Sequence, residues 1–417
     1  MTAYHVAPAR GWLNDPNGLV HWAGRWHVFF QHNPDAARHG NIAWGHVSST
    51  DLATWQEHPV AFRPQPAGPD RGGCWSGVSV VDGERVAAVY TGVHDGPADS
   101  TICLRYASDE RLDQWSAPVV VGRAAEGVGV KEMRDPFVFT WSGRRWALLG
   151  AWLDDGPALL LWSCDDLAAW WFERVWLSSA DPVLRPLAVA DVWECPQLVE
   201  VDGSWVVLVS LWKAGVLDRV VYAVGSLEDD GGLPRYAARA GGYADGGEVC
   251  YAPQVLQDAP GGGPLFFGWA READLPEPVD AEAVAGCLTL PHRLRLDGDR
   301  LISEVEPAAR SLVGDPIALS GDSAELPAQA YLRVDAPVRL TGRGARIAVE
   351  TGSEVWLDDD VVEVYPTSGT PETYRDPGTT AWRVSPTTNV AAFAVSRPQR
   401  GRSRPATWPT RLTVSHS

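Results

Sequence analysis

The chain has 417 residues, enough for more than one hydrophobic core, since single cores stop growing near roughly 250 to 300 residues. Its 35 basic and 53 acidic side chains leave a net charge of −18, which excludes the basic face that nucleic acid or an anionic membrane would need and favours a neutral or cationic small partner. No stretch of about 20 apolar residues is present, and Met1-Thr2-Ala3-Tyr4-His5 forms neither a charged n-region nor an apolar h-region, so a cytoplasmic protein that does not span a membrane is expected.

From the first strand onward the chain repeats. A turn-forming residue followed by Gly opens an apolar run at Ala23-Gly24, Asp82-Gly83, Ser142-Gly143, Asp202-Gly203 and Gly261-Gly262, and the second glycines are 59, 60, 60 and 59 residues apart. Before each turn lies one strand (residues 18–22, 78–81, 136–140, 197–201 and 254–256), and after it a second (26–30, 86–90, 146–149, 205–209 and 264–267), so a β-hairpin recurs five times. Asp51-Leu52-Ala53-Thr54-Trp55, Leu112-Asp113-Gln114-Trp115 and Asp166-Leu167-Ala168-Ala169-Trp170 mark the polar turn between a third strand and a fourth. Four strands per unit at a fixed period is the signature of a propeller blade, and five units predict five blades.

The period ends after Leu290-Pro291-His292-Arg293-Leu294. Beyond Pro307 shorter alternating strands follow, among them residues 345–349, 354–357 and 361–365, which suit a two-sheet antiparallel sandwich. The expected organisation is all-β: a five-bladed β-propeller over 1–307, then a C-terminal β-sandwich over 308–417 whose role is support or substrate contact. Most of the 21 Trp are assigned to β cores, with a few left for stacking on sugar. Cys74, Cys103, Cys164, Cys195, Cys250 and Cys287 lack any C-x-x-C spacing and read as free thiols. Arg397, Arg400, Arg402 and Arg404, the one basic cluster, read as a solvated tail.

Counting back from the turn glycines, Asp15 lies 9 before Gly24, Asp135 lies 8 before Gly143 and Glu194 lies 9 before Gly203. In a closed ring, equivalent points of successive units converge on the axis, so the three acids share one funnel. Like charges at short range push one carboxyl pKa up, and a raised carboxyl beside an ionised one is what glycosidic cleavage uses. Each acid also has a structural reading: Asn14-Asp15-Pro16-Asn17-Gly18 is a turn sequence and Arg134-Asp135-Pro136 could be an ion-paired turn. Glu194, between Trp193 and Cys195 at the head of an apolar strand, is harder to explain that way.

These segments, with Phe29-Phe30-Gln31-His32-Asn33-Pro34, Trp44-Gly45-His46, Trp75-Ser76-Gly77, Trp193-Glu194-Cys195-Pro196, Tyr251-Ala252-Pro253-Gln254 and Gly268-Trp269, resemble the ordered motifs of glycoside hydrolase family 32, the invertases, fructanases and sucrose-6-phosphate hydrolases. Residues 352–365 resemble the family's sandwich as well. The resemblance implies retaining hydrolysis of terminal β-fructofuranosyl units from sucrose and short fructo-oligosaccharides, with no metal or organic cofactor. By that pattern Asp15 is the nucleophile, Glu194 the acid and then base, and Asp135 the residue that holds fructose hydroxyls, with Arg134 beside it. Asn14, Gln31, Trp44, Trp75, Ser76, Tyr251 and Trp269 match substrate-subsite positions. The chain departs from the pattern at His39, Trp75, Val78, Val249 and Cys250, changes expected at the rim and bearing on the leaving group. Two other classes fit the fold, a fructosyltransferase and a non-catalytic sugar-binding propeller; an arabinan-cleaving propeller would also carry three carboxylates, but the Asn-Asp-Pro-Asn-Gly and Glu-Cys-Pro segments argue against it.

Overall fold

A computed structural model describes residues 2–247, 249–272, 283–367 and 369–396; the arginine cluster at 397–404 lies outside them. Five four-stranded antiparallel units follow one another. Their innermost strands are Gly11–Trp22, Gly73–Asp82, Val130–Trp141, Val192–Val201 and Cys250–Leu256. Each innermost strand packs on that of the next blade, and the fifth packs on the first, so the ring is closed. Residues Val284–Ala285 leave blade five to pair in parallel with Gly11 and Trp12 of blade one, which ties the first and last blades by backbone hydrogen bonds at the seam. The seam is tight: a Cβ on Gly286, held at φ +84°, would lie 1.8 Å from the Leu13 carbonyl oxygen.

The repeat turns follow from two-residue hairpin loops. Ala23-Gly24, Ser142-Gly143 and Asp202-Gly203 each place both residues at positive φ, the I′ geometry that matches strand twist. Two turns differ from the sequence reading. In blade two Asp82 pairs with Arg85, so the loop is Gly83-Glu84 with only Gly83 at positive φ. In blade five Leu256 pairs with Leu265, and Gly261-Gly262 belongs to a longer loop rather than to a tight hairpin. Leu52 and Leu112, in the shared Asp/Leu/Trp segments, both adopt a left-handed conformation in the turn after the third strand.

After a 3-10 turn at Pro307–Leu312 come two sheets, one of six strands and one of four, whose facing side chains form a separate apolar core including Leu332, Leu340, Leu357 and Trp382. The chain is thus a five-bladed β-propeller followed by a β-sandwich. Trp44, Trp146, Trp193, Trp356 and Trp382 are fully buried, in keeping with the assignment of most tryptophans to packing. All six cysteines are buried and unpaired. Among the described residues no helix is long and apolar enough to cross a membrane.

The two units are locked by buried charge. Asp358 of the sandwich accepts the backbone N–H groups of Ala3, Tyr4 and His5, and its Oδ2 lies 2.9 Å from His5 Nδ1. His5 Nε2 lies 2.7 Å from Glu363 Oε1, while Glu363 also accepts from Leu290 N–H and faces His292 and Tyr365. A ring with a carboxylate at each nitrogen must carry both protons. Burial alone disfavours that charge, but the bonds to Asp358 and Glu363 outweigh it and raise His5 to about 9.

The sign of the linkage is therefore fixed. Stability from the charged His5 is complete below the unfolded histidine value near 6.5 and is lost as pH rises through about 9. Asp358 and Glu363 sit below their ordinary values despite burial, because His5, His292 and backbone donors hold the anions, so their share is lost as pH falls below about 4. His5→Ala is expected to cost roughly 3–5 kcal/mol in urea unfolding near pH 6 and to flatten the decline between pH 6.5 and 9. An unaltered pH profile in that variant would refute the lock.

Candidate active site

The ladder between the first and second strands is interrupted in every blade at one common level, and blades one and three carry a second shift elsewhere. The register shifts lie between Leu13 and Pro16, Cys74 and Gly77, Arg134 and Phe137, Glu194 and Gln197, and Tyr251 and Gln254. A bulge leaves residues unpaired and re-aims their side chains. Proline follows at 16, 136, 196 and 253, which suits a position that donates nothing to the ladder, while glycine stands at 77, where a Cβ would lie 2.1 Å from the Val89 carbonyl oxygen. At three of these bulges Asp135, Cys195 and Ala252 occupy the left-handed region, and each freed N–H finds a partner. Asp135 N–H donates to Thr91 Oγ1 of blade two at 2.7 Å, Cys195 N–H to Asp135 Oδ2 at 3.0 Å, and Ala252 N–H to Ser210 Oγ of blade four at 3.1 Å.

The bulges bring Asp15, Asp135 and Glu194 to one place. Cys195 Sγ lies 3.6 Å from both Asp15 Oδ2 and Asp135 Oδ2. Asp15 is surrounded by donors: the Asn14 amide at 3.0 Å, the Gln31 amide at 2.7 Å, the Ser76 hydroxyl and the Cys195 thiol. Glu194 instead meets the Arg134 guanidinium at 2.9 Å through Oε1 and the Tyr251 hydroxyl at 2.8 Å through Oε2. Arg134 also pairs with Glu132, and its guanidinium carbon stands 5.3 Å above the Trp75 ring.

All three carboxyls are held above their ordinary values, with burial as the largest cause. For Asp15, the bonds from Ser76, Asn14 and Cys195 and the nearby His39 work against burial. For Glu194, Arg134 and the Tyr251 bond work against it. Asp135 has the weakest compensation: Glu194 and Asp15 both raise it further, and only Arg134 and the Cys195 N–H oppose them. One guanidinium shared among several buried acids cannot keep all of them ionised.

Beneath the acids a small cavity is lined by Asn17, Ser76, Asp135, Cys195, Gln197 and Gln254. Its floor is braced by amides. Gln254 accepts from Gly18 N–H at 2.7 Å and donates to Gln197 Oε1, which also accepts from Val255 N–H at 2.8 Å, so blades one, four and five are tied at the axis.

Most residues picked from the sequence meet here, with differences. Trp269 packs edge-on against Trp12, whose N–H donates to Asn14 Oδ1 at 2.8 Å, so these two tryptophans stand behind Asn14. Trp44 is fully buried; its ring stacks on Phe62, 5.0 Å between centroids, and it reaches the site only by donating to the Trp75 carbonyl. It supports the Trp75 wall from behind and does not face the funnel. Of the expected rim changes, Val78, Val249 and Cys250 are buried, while His39 and Trp75 are neighbours, their rings 6.1 Å apart. Thr91, Ser210, Gln197, Gln254 and the thiol of Cys195 were not picked out. The recurring proline after the acid or its equivalent, at 16, 136, 196 and 253, was the available signal.

Residues 5–305 match the family model described as glycosyl hydrolases family 32 N-terminal domain. The chain belongs to glycosyl hydrolase family 32. It is 33% identical over 324 residues to the raffinose invertase of Escherichia coli, covering 74% of this chain and 66% of that one. It is 32% identical over 344 residues to the sucrose-6-phosphate hydrolase of Bacillus subtilis, covering 78% and 70%. It thus spans about two thirds of the length of these family 32 relatives. In fold it is similar to the family 32 β-fructofuranosidase of Bombyx mori, with a TM-score of 0.81 at 24% identity over 95% of this chain and 94% of that one. The fructan 1-exohydrolase IIa of Cichorium intybus gives 0.78 at 18% identity, over 97% and 98%.

The interblade bonds have a measurable weight. Thr91→Val keeps the shape but strands the Asp135 N–H, and a buried unsatisfied donor costs about 1–3 kcal/mol. Urea unfolding is expected to show that loss, with Thr91→Ser restoring most of it; a neutral Thr91→Val would remove the bond from the account of the bulge.

Proposed function

We propose that this family 32 chain is a retaining β-fructofuranosidase that releases terminal β-D-fructofuranosyl units from sucrose and short fructo-oligosaccharides. The observation that carries the reading is the unequal environment of three carboxyls in one funnel. Asp15, with four donors aimed at it, is the carboxyl best supported as an anion, and so as the nucleophile that bonds to the anomeric carbon of fructose. Glu194, net raised and held through both oxygens, is the proton donor to the glycosidic oxygen.

As the C–O bond breaks, the proton on Glu194 passes to the leaving oxygen and the fructosyl unit remains on Asp15. Glu194, now a carboxylate, takes a proton from water, whose oxygen displaces Asp15 and restores both groups. Asp135 is placed to accept from fructose hydroxyls beside the developing positive charge. Arg134 has a balancing role: it limits how far Glu194 rises, and its second partner Glu132 limits the guanidinium's own effect. Names of the curated relatives, raffinose invertase and sucrose-6-phosphate hydrolase, support sugars that end in this fructosyl group.

Asp15→Ala and Glu194→Ala are each expected to lower kcat on sucrose by roughly a hundred- to ten-thousandfold, with the fold retained by circular dichroism. Near-wild-type turnover in both would sink the reading. Chromatography of the products at high sucrose separates hydrolysis from fructosyl transfer. A pH profile tests the acid: the Tyr251 bond lowers the Glu194 pKa, so Tyr251→Phe is expected to move the alkaline limb of kcat/KM to higher pH. A limb that stays fixed or moves down would assign that limb to another group.

A further inference from the structure

The proton donor fixes where the leaving group must lie. If Glu194 protonates the glycosidic oxygen, the departing sugar sits against the rim outside Glu194 and Arg134, on blades three and four. Two residues outward along the innermost strands are Glu132 and Val192. Their partners on the second strands are Trp152 and Trp212. The two indoles are neighbours, 6.3 Å between centroids and 55° between planes, and both are half-buried; the other seven half-buried tryptophans among the described residues pack against an apolar core.

Neither ring is part of the described apolar cores, and the backbone beneath them is firm. Asp191 N–H donates to the Trp212 carbonyl at 2.9 Å, and the Asp191 carboxylate caps the next turn by accepting from Ala214 N–H. Lys131 Nζ lies 5.2 Å from the Trp152 ring and pairs with Asp154 at 3.5 Å, so a cation and a carboxylate border one edge of the aromatic surface. Aromatic faces bordered by hydrogen-bonding groups match a pyranose, which presents apolar C–H faces and an equatorial belt of hydroxyls.

Building on the fructosidase reading above, we propose that Trp152 and Trp212 form a stacking subsite for a pyranose ring of the leaving group, with Lys131 and Asp154 meeting its hydroxyls. The subsite contributes binding and takes no part in proton transfer or bond making.

The test compares kcat/KM on methyl β-D-fructofuranoside, sucrose and raffinose, whose leaving groups hold none, one and two pyranose rings. In Trp152→Ala and Trp212→Ala the ratio of raffinose to methyl fructoside is expected to fall roughly three- to tenfold, with Trp152→Phe keeping most of it. A uniform loss of active protein cancels in that ratio. Turnover of all three substrates by the wild type with an unchanged ratio in both alanine variants overturns the subsite alone. No turnover of any of them by the wild type overturns the fructosidase reading and the subsite with it.

Discussion

Everything at the centre of this molecule depends on one backbone constraint, the bulge that interrupts each innermost strand at a common level. A regular strand would send alternate side chains to either side of its blade and leave the axis lined by backbone. The bulge turns a pair of residues inward, and five such pairs supply Asn14 and Asp15, Trp75 and Ser76, Asp135, Cys195 beside Glu194, and Ala252 beside Tyr251. The freed donors would be costly if left alone in so dry a place. Hydroxyls of Thr91 and Ser210 from neighbouring blades, and the carboxylate of Asp135 itself, take them up. Blade-to-blade cohesion and the shape of the site are thus one set of bonds.

The electrostatics follow from that geometry. Three carboxyls are gathered in a largely buried place, and the Arg134 guanidinium beside them is divided between Glu132 and Glu194. The donors are distributed unevenly, four to Asp15 and two to Glu194, so environments differ although all three groups are buried. A site of this kind favours neutralisation of at least one acid at rest and can redistribute the proton when a sugar hydroxyl or a glycosidic oxygen enters.

The sequence reveals the period and the acids because both are local: two-residue turns demand Gly, and carboxyls stand at fixed offsets from them. It is less informative where a function depends on packing between blades. Trp44 sits in a motif with a site residue's look, yet its ring is needed between Phe62 and Tyr90, and only the N–H points toward Trp75. The frame of blade two is offset by one because Asp82 closes the ladder with Arg85, which a glycine count alone does not distinguish. Thr91 and Ser210 were invisible since a hydroxyl within an apolar strand gives no hint of the neighbour it serves. Trp152 and Trp212 likewise read as core until their half-exposure and proximity are seen.

The strap that carries His5 has a consequence for how the chain matures. Residues 3–5 are held by Asp358 and Glu363, and Gly11 and Trp12 pair with Val284 and Ala285, so the contacts that fix the beginning of the chain join it to segments some 270 to 360 positions later. Such pairings require closing very long loops, and strands kept waiting for distant partners are slow to settle and exposed to wrong ones. Blade one therefore keeps an open edge until blade five has been made, and the strap at residues 3–5 is fixed only once the sandwich follows. Until blade five arrives, the first blade presents an unpaired strand edge of the kind that invites wrong partners.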